Sequence, residues 1–291
     1  MNYPIFELPE EEFPRLLREI NDPPKRLYVR GALAPLGERA LLTIVGSRHY
    51  TSYGKEAVQS LVSGLRGYPI TIVSGLALGI DRLAHETALD AGLKTVAVPG
   101  SGLDDSVLYP TSHTKLAYRI LEAQGTLLSE LEPMNAAAPW TFPQRNRIMA
   151  GMSHAVLVIE ASAKSGTLIT ARLGMEYNRD VLAVPGSIFS PNSYGPHTLI
   201  RDGAVPVTES ADILEALGFK RENTPVSKDA YAGCSEEERK VLELLFEPLP
   251  QDEIIRLLAM DTSTANILLS MMELRGLIKE SNGKIARAMS F

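Results

Sequence analysis

Between residues 40 and 217, short apolar runs rich in Val, Ile and Leu alternate with longer stretches whose apolar positions recur every three or four residues. The runs fall at 40–45, 69–74, 95–98, 125–129, 155–159, 181–184 and 205–208. The helical stretches between them include 54–65, 80–91, 115–124 and 168–177. Strands that are apolar throughout are covered on both faces, and helices that join successive strands leave them parallel. The pattern predicts an open, doubly wound, mostly parallel α/β sheet. Such sheets meet their ligands at the carboxyl ends of the strands. Small residues crowd those ends here, in LTIVGSR, TIVSGLALGID, VAVPGSG, LVIEAS and LAVPGS.

The flanks read differently. Residues 1–39 form a lead-in, with LPEEEFPRLLREI as one helix stopped by Pro23 and Pro24. The α/β domain then spans 40–219, and a polar stretch at 220–234 reads as a linker. In 235–291, Ser235 caps a helix beginning EEERKVLELLF, and Glu238 completes a capping-box spacing. Further helices are predicted over 252–258 and 263–275, followed by a hairpin of LIKES, an Asn282-Gly283 turn and KIARAM. Three helices and a hairpin predict a small C-terminal winged-helix domain.

Charge constrains what this architecture can hold. The chain has 29 Lys and Arg against 35 Asp and Glu, a formal net charge of −6. A polyanion would therefore have to be met by a local concentration of cations in a cleft, where low-dielectric walls focus the field. The single cysteine, Cys234, excludes an intramolecular disulfide framework and a cysteine-cluster metal site. No apolar run approaches the ~20 residues that span a bilayer. The acidic N-terminus does not resemble a secretion signal. The expected location is cytoplasmic, with no membrane partner.

Several motifs sit at the strand ends. After the first run, Gly46 and Ser47 allow close approach to backbone amides, and Arg48 can fork onto a phosphate or lie solvated in a tight turn. After the second, Gly75 and Gly79 can build a strand-to-helix turn whose N–H groups face an anion. That segment is not G-x-G-x-x-G and has no ribose-binding acid at the expected distance, so no nicotinamide cofactor is expected. Asp81 there can cap the next helix. In FPQRNRIMAG, Arg145 and Arg147 flank Asn146 and would point about 200° apart on a helix. Either can meet a phosphate, or one can pair with Glu130 or Glu160. Ser165, Gly166 and Thr167 lie where a strand gives way to a helix, with Lys164 beside them. They can cradle a phosphate, although no Walker sequence is present. The histidines lack metal-ligand spacing, and Asp104-Asp105 is either a Mg²⁺ ligand pair or a solvated loop. No metal is expected. Trp140, Tyr50 and Tyr53 can serve as core residues or stack on a base.

Taken in order, these stretches resemble the DNA-processing protein A family (DprA, also called Smf). GSR, SGLALGID, VAVPGSG with Tyr109-Pro110, LLSE, FPQRNRIMAG, the segment from Glu160 to Thr170, and AVPG follow the family's succession over roughly residues 13–217. The resemblance implies an extended Rossmann-like domain that binds single-stranded DNA in a positively charged pocket without catalysis. It also implies protection of incoming strands during natural transformation, help in loading RecA, and a homodimer. Carried over by motif, the DNA site would comprise Arg48, Arg145 and Arg147, with residues 75–79 and 165–167 supplying backbone donors and Gly46, Ser47 and Asn146 alongside. Lys164 and Lys115 join by location.

Two departures stand out. A lead-in of 39 residues leaves no room for the sterile-alpha-motif-like domain that many members carry upstream. His197 also stands where members often have asparagine. In the winged helix, which many members share, the third helix offers only Arg275 as a cation. From residue 235 onward 7 basic and 10 acidic side chains give 7 − 10 = −3. A protein-contact or regulatory role is expected for it.

Two rival readings meet specific obstacles. Rossmann-like nucleotide hydrolases of the cytokinin-activating type carry P-G-G-x-G-T-x-x-E, and Thr170 stands where their catalytic glutamate belongs. A ligand-sensing winged-helix transcription regulator would need a cationic third helix to enter a DNA groove.

Overall fold

A computed structural model describes residues 3–37, 39–219, 234–245, 248–258, 260–281 and 283–287. The chain divides into two compact units, Met1–Arg221 and Glu222–Phe291. The expected linker lies outside the described residues except for Cys234.

The first unit begins with β1 (Ile5–Glu7), α1 (Arg15–Arg18) and β2 (Tyr28–Gly31). It continues through β3 (Ala40–Val45), α2 (Ser52–Ser63), β4 (Ile70–Ser74), α3 (Ile80–Asp90), β5 (Lys94–Ala97), α4 (Thr114–Glu122) and β6 (Thr126–Ser129). After these come α5 (Thr141–Met152), β7 (Ala155–Val158), α6 (Thr167–Glu176), β8 (Asp180–Ala183), α7 (Tyr194–Arg201), β9 (Val205–Pro206) and α8 (Ser210–Ala216). The strands make one nine-stranded sheet in the order β1-β2-β6-β5-β4-β3-β7-β8-β9. From β6 to β9 every pairing is parallel, while β2 pairs antiparallel with both β1 and β6. The sheet is mostly parallel and Rossmann-like, as its periodicity predicts.

Alternation along the strands explains the two covered faces. On β3, Leu41 and Val45 join a core with Leu17, Ile148, Met149, Leu168 and Leu199 from α1, α5, α6 and α7. Leu42 and Ile44 join the opposite core with Val58, Leu61, Ile80, Leu83 and Ile213 from α2, α3 and α8. Thr43 is the polar exception. Its hydroxyl donates to the Met149 carbonyl at 3.0 Å and meets Ser153 Oγ at 2.7 Å, so its burial leaves no polar atom unmet.

The lead-in departs from expectation: it is not a separate segment but supplies two strands of the sheet. Instead of one helix, a 3-10 turn at Glu10–Glu12 follows Pro9, and the single turn of α1 follows Pro14. Proline fits the start of a helix but not its interior, so Pro14 divides the two. Leu8, Phe13, Leu17, Ile20, Leu27 and Val29 are buried in the main core.

The second unit contains α9 (Glu236–Leu244), α10 (Gln251–Leu258), α11 (Thr262–Leu274) and an antiparallel hairpin of β10 (Ile278–Ser281) and β11 (Lys284–Arg287). Val241, Leu242, Ile254, Leu269, Met272 and Ile285 make its core. Ser235 and Glu238 form the expected capping box, with Ser235 N donating to Glu238 Oε2 at 2.8 Å. This is a winged-helix domain. Asn282 of the expected turn, together with Ala288 and Met289, lies outside the described residues.

Among the described residues no single helix is long and apolar enough to cross a membrane.

Candidate functional site

The chain steps from β3 outward through β4 and β5 to β6, then returns to β7 on the other side of β3. This reversal is a topological switch point, which opens a crevice beyond the carboxyl ends of β3 and β7. A cleft of about 310 Å³ lies there. It is lined by Gly46, Ser47 and Arg48 after β3, Phe142, Arg145 and Asn146 from α5, and Ser165, Gly166 and Thr167 at the start of α6. The N-terminus of α6 faces this space, where its first amides favour an anion.

Two interlocked turns set the wall. Ile80 N donates to the Ser47 carbonyl at 3.1 Å. A Cβ on Gly46 would stand 2.6 Å from Ile80 Cγ1, so only glycine permits that approach. Gly79 has φ +88° and lies against the Ser47 carbonyl and the Arg48 backbone, leaving no room for a side chain. Arg48 itself is exposed, its guanidinium 5.6 Å from the centre of the Phe142 ring.

Beneath the mouth, Arg145 is buried. Its Nη1 donates to the Val98 carbonyl at 2.5 Å, and its Nε has no partner among the described residues. Asp81 is buried nearby, its Oδ2 accepting from Gly75 N at 3.1 Å. The two side chains flank the Cα of Gly75 so closely that a Cβ there would overlap the Arg145 guanidinium. Burial pushes Arg145 down to about 10, against the favourable field of Asp81, so it remains a cation at neutral pH. Burial also raises the Asp81 carboxyl, opposed by Arg145 and by the Gly75 and Ala77 amides. Asn146, also buried, lines the cleft.

The expected site is thus brought together in part. Gly46, Ser47, Arg48, Arg145, Asn146, Ser165, Gly166 and Thr167 share the cleft. Arg147 does not. Its guanidinium pairs with Glu130, donates to the Asp22 carbonyl at 2.7 Å and lies 3.5 Å from the Asp22 carboxylate. The helical angle between Arg145 and Arg147 sends them to different faces of α5. Lys115, exposed on the first turn of α4, lies outside the cleft lining. Lys164 is exposed on the loop leading to α6 and is not in the lining. Gly75 offers no free donor, because Asp81 takes its amide; it lines a neighbouring depression instead. Gly79 acts through its conformation.

Other candidates resolve structurally. Glu160, buried, accepts from Thr51 N at 2.9 Å and Thr51 Oγ1 at 2.5 Å, tying β7 to the start of α2 rather than to an arginine. Asp105 pairs with Arg30 at 2.6 Å, and Asp104 accepts from Ser106, so neither is an open metal ligand. Among the described residues no group of histidine, cysteine or carboxylate side chains could hold a metal. Trp140 is exposed, and Tyr53 donates to the Pro185 carbonyl.

Sequence reasoning missed the cleft-lining roles of Ser162 and Thr170. Thr170 follows Thr167 by three residues, which places both on one helical face.

The model of the family "DNA recombination-mediator protein A" matches residues 5–218, and that of the "DprA winged helix domain" matches 224–284. Protein Smf of Escherichia coli is 41% identical over 218 residues, covering 75% of this chain and 58% of the relative. The chain thus spans little more than half of that relative's length. The crystal structure of DNA processing protein A from Streptococcus pneumoniae superposes with a TM-score of 0.68 at 40% identity, covering 74% of each chain. A Helicobacter pylori DNA processing protein A, whose structure describes a single-stranded DNA binding mode, superposes with a TM-score of 0.66 at 30% identity, covering 74% of this chain and 96% of that one. In both its core and its winged helix, this chain belongs to the DprA/Smf family.

Proposed function

We propose that this protein binds single-stranded DNA in the cleft at the β3/β7 switch point and leaves it chemically unchanged. In this reading it protects incoming strands during natural transformation, helps load RecA onto them, and acts as a homodimer. The observation that carries the reading is Arg48. It stands exposed at the cleft mouth and makes no hydrogen bond or ion pair with any described residue, beside the N-terminus of α6. An uncommitted guanidinium beside the positive end of a helix suits a phosphate. The single-stranded DNA binding described for the Helicobacter pylori relative supports the same ligand.

A non-catalytic role fits the cleft chemistry. The Asp81 carboxylate is engaged by the Gly75 amide, and Thr170 lines the cleft where a nucleotide hydrolase would need a glutamate. In the winged helix, the exposed side chains of α11 include Ile267, Met271 and Leu274, four and three residues apart. Arg275 at its end is bound to Glu238. This favours contact with protein over entry into a DNA groove. For the dimer, the best-suited surface is the apolar patch of Ile188, Phe189 and Tyr194 beside α7, with Phe189 89% exposed.

The test is a titration of labelled oligo-dT and of its duplex against wild type and Arg48→Ala at two salt concentrations. Salt-sensitive preference for the single strand, weakened at least about tenfold by the substitution (~1.4 kcal/mol), is the expected result. Equal binding by the variant, or a preference for duplex, overturns the reading.

A further inference from the structure

Beyond Arg48 the cleft adjoins a second, smaller depression that shares Arg48, Ala77 and Phe142 with it and adds Gly75, Leu78, Tyr109 and Pro110. Its surface is apolar and aromatic. The Tyr109 ring meets the Phe142 ring edge-on, with centroids 5.6 Å apart. Leu78 is 50% exposed and Tyr109 45%, so neither is consumed by the core. Trp140, 63% exposed, caps the helix whose first turn carries Phe142.

The Asp81 carboxyl lies buried behind Gly75, against Arg145, so the charge that reaches the surface of this shelf is a cation. Arg48 is the only charged residue in its lining. Lys115 stands two residues beyond the 3-10 turn at Thr111–His113, and His113 Nδ1 lies 2.7 Å from the Leu76 carbonyl. The Lys115 end of α4 therefore abuts the turn that carries Leu78. An apolar shelf beside an exposed arginine, continuous with a cleft suited to phosphate, matches a strand of unstacked bases joined by phosphates. A helical peptide would find too little area here and no acidic counterpart for basic flanks.

We propose that this shelf is a second nucleic-acid subsite. Resting on the reading of the cleft as a single-stranded DNA site, it takes the bases that flank the nucleotide held there. They stack on Leu78 and Tyr109, and Lys115 meets the phosphate beyond. Every base has a π-face, so the subsite is tolerant of sequence but requires bases.

The experiment uses the full chain and two labelled fifteen-nucleotide probes with equal phosphate number. One is oligo-dT; in the other, every nucleotide but the central one is an abasic site. Wild type should bind the abasic probe about tenfold more weakly. Tyr109→Ala and Leu78→Ser should narrow that gap, while Tyr109→Phe keeps it. Trp140, the single tryptophan of the chain, should be quenched by oligo-dT and not by the abasic probe. Equal binding of both probes by wild type, with the Arg48→Ala loss intact, overturns the shelf and leaves the cleft standing. Loss of the Arg48 dependence overturns the cleft reading itself, and the shelf with it.

Discussion

Arg145 and Arg147, two positions apart on α5, serve opposite faces of that helix: Arg145 reaches the Val98 carbonyl beneath the cleft, while Arg147 binds Glu130 and Asp22 near the start of the chain. A single basic motif is thereby split between the ligand site and the fold. The split changes what substitution of each should do.

Arg147→Ala is expected to act on stability. It removes the partner of Glu130, whose side chain is only 10% exposed, and frees the loop at Asp22. Leaving such a carboxylate unpaired should cost about 3 kcal/mol. Urea unfolding should show that loss, while DNA affinity measured well below the midpoint stays within about twofold of wild type.

Salt dependence should reflect the smaller set of cations. With Arg147 committed elsewhere, Arg48, Lys164 and Lys115 are the exposed ones near the proposed path. At about 0.7 per phosphate contact on a single strand, the slope of log affinity against log salt should be about −2 per protomer. A slope near zero would remove the electrostatic basis of binding.

Gly79→Ala tests the interlocked turns. At φ +88° a side chain is strained, and here it would also strike the Ser47 carbonyl and Arg48 backbone. The strain alone costs about 1–2 kcal/mol. The variant should lose both thermal stability and the DNA affinity that depends on Arg48. Full affinity in a destabilised variant would show that the turn does not position Arg48.

His85 gives the pH prediction. Burial, followed by the nearby His113 and Arg145, lowers it to about 3, so the folded protein keeps it neutral. The unfolded chain takes up that proton near 6.5. Between about 6.5 and 3 the unfolded state therefore binds more protons, and stability falls as pH falls. The contribution approaches 1.4 kcal/mol per pH unit within that window. His85→Asn should flatten this part of the profile in urea melts from pH 4.5 to 7.5. An unchanged slope would assign the acid sensitivity to other groups.

Much of this architecture is written in local pattern. The runs at 40–45 and 155–159 become β3 and β7 because both faces of each strand need apolar cover, and periodicity records that need directly. Ser235 and Glu238 announce the start of α9 because capping is settled within one helical turn. The sequence also holds the glycines of the cleft wall and the arginines around it, as residue types at strand ends. What it does not hold is partnership. Ile5–Glu7 is too short to carry a period, and it joins the sheet only because β2 lies beside it. Arg147 meets Asp22 across 125 residues of chain, and Asp81 takes the Gly75 amide only after the turn has folded back. Local chemistry determined the strands, the helices and the small residues at their ends, because each depends on neighbours within a few positions. The tertiary structure alone decided which cation faces the ligand and which braces the fold, because charges find their partners through space.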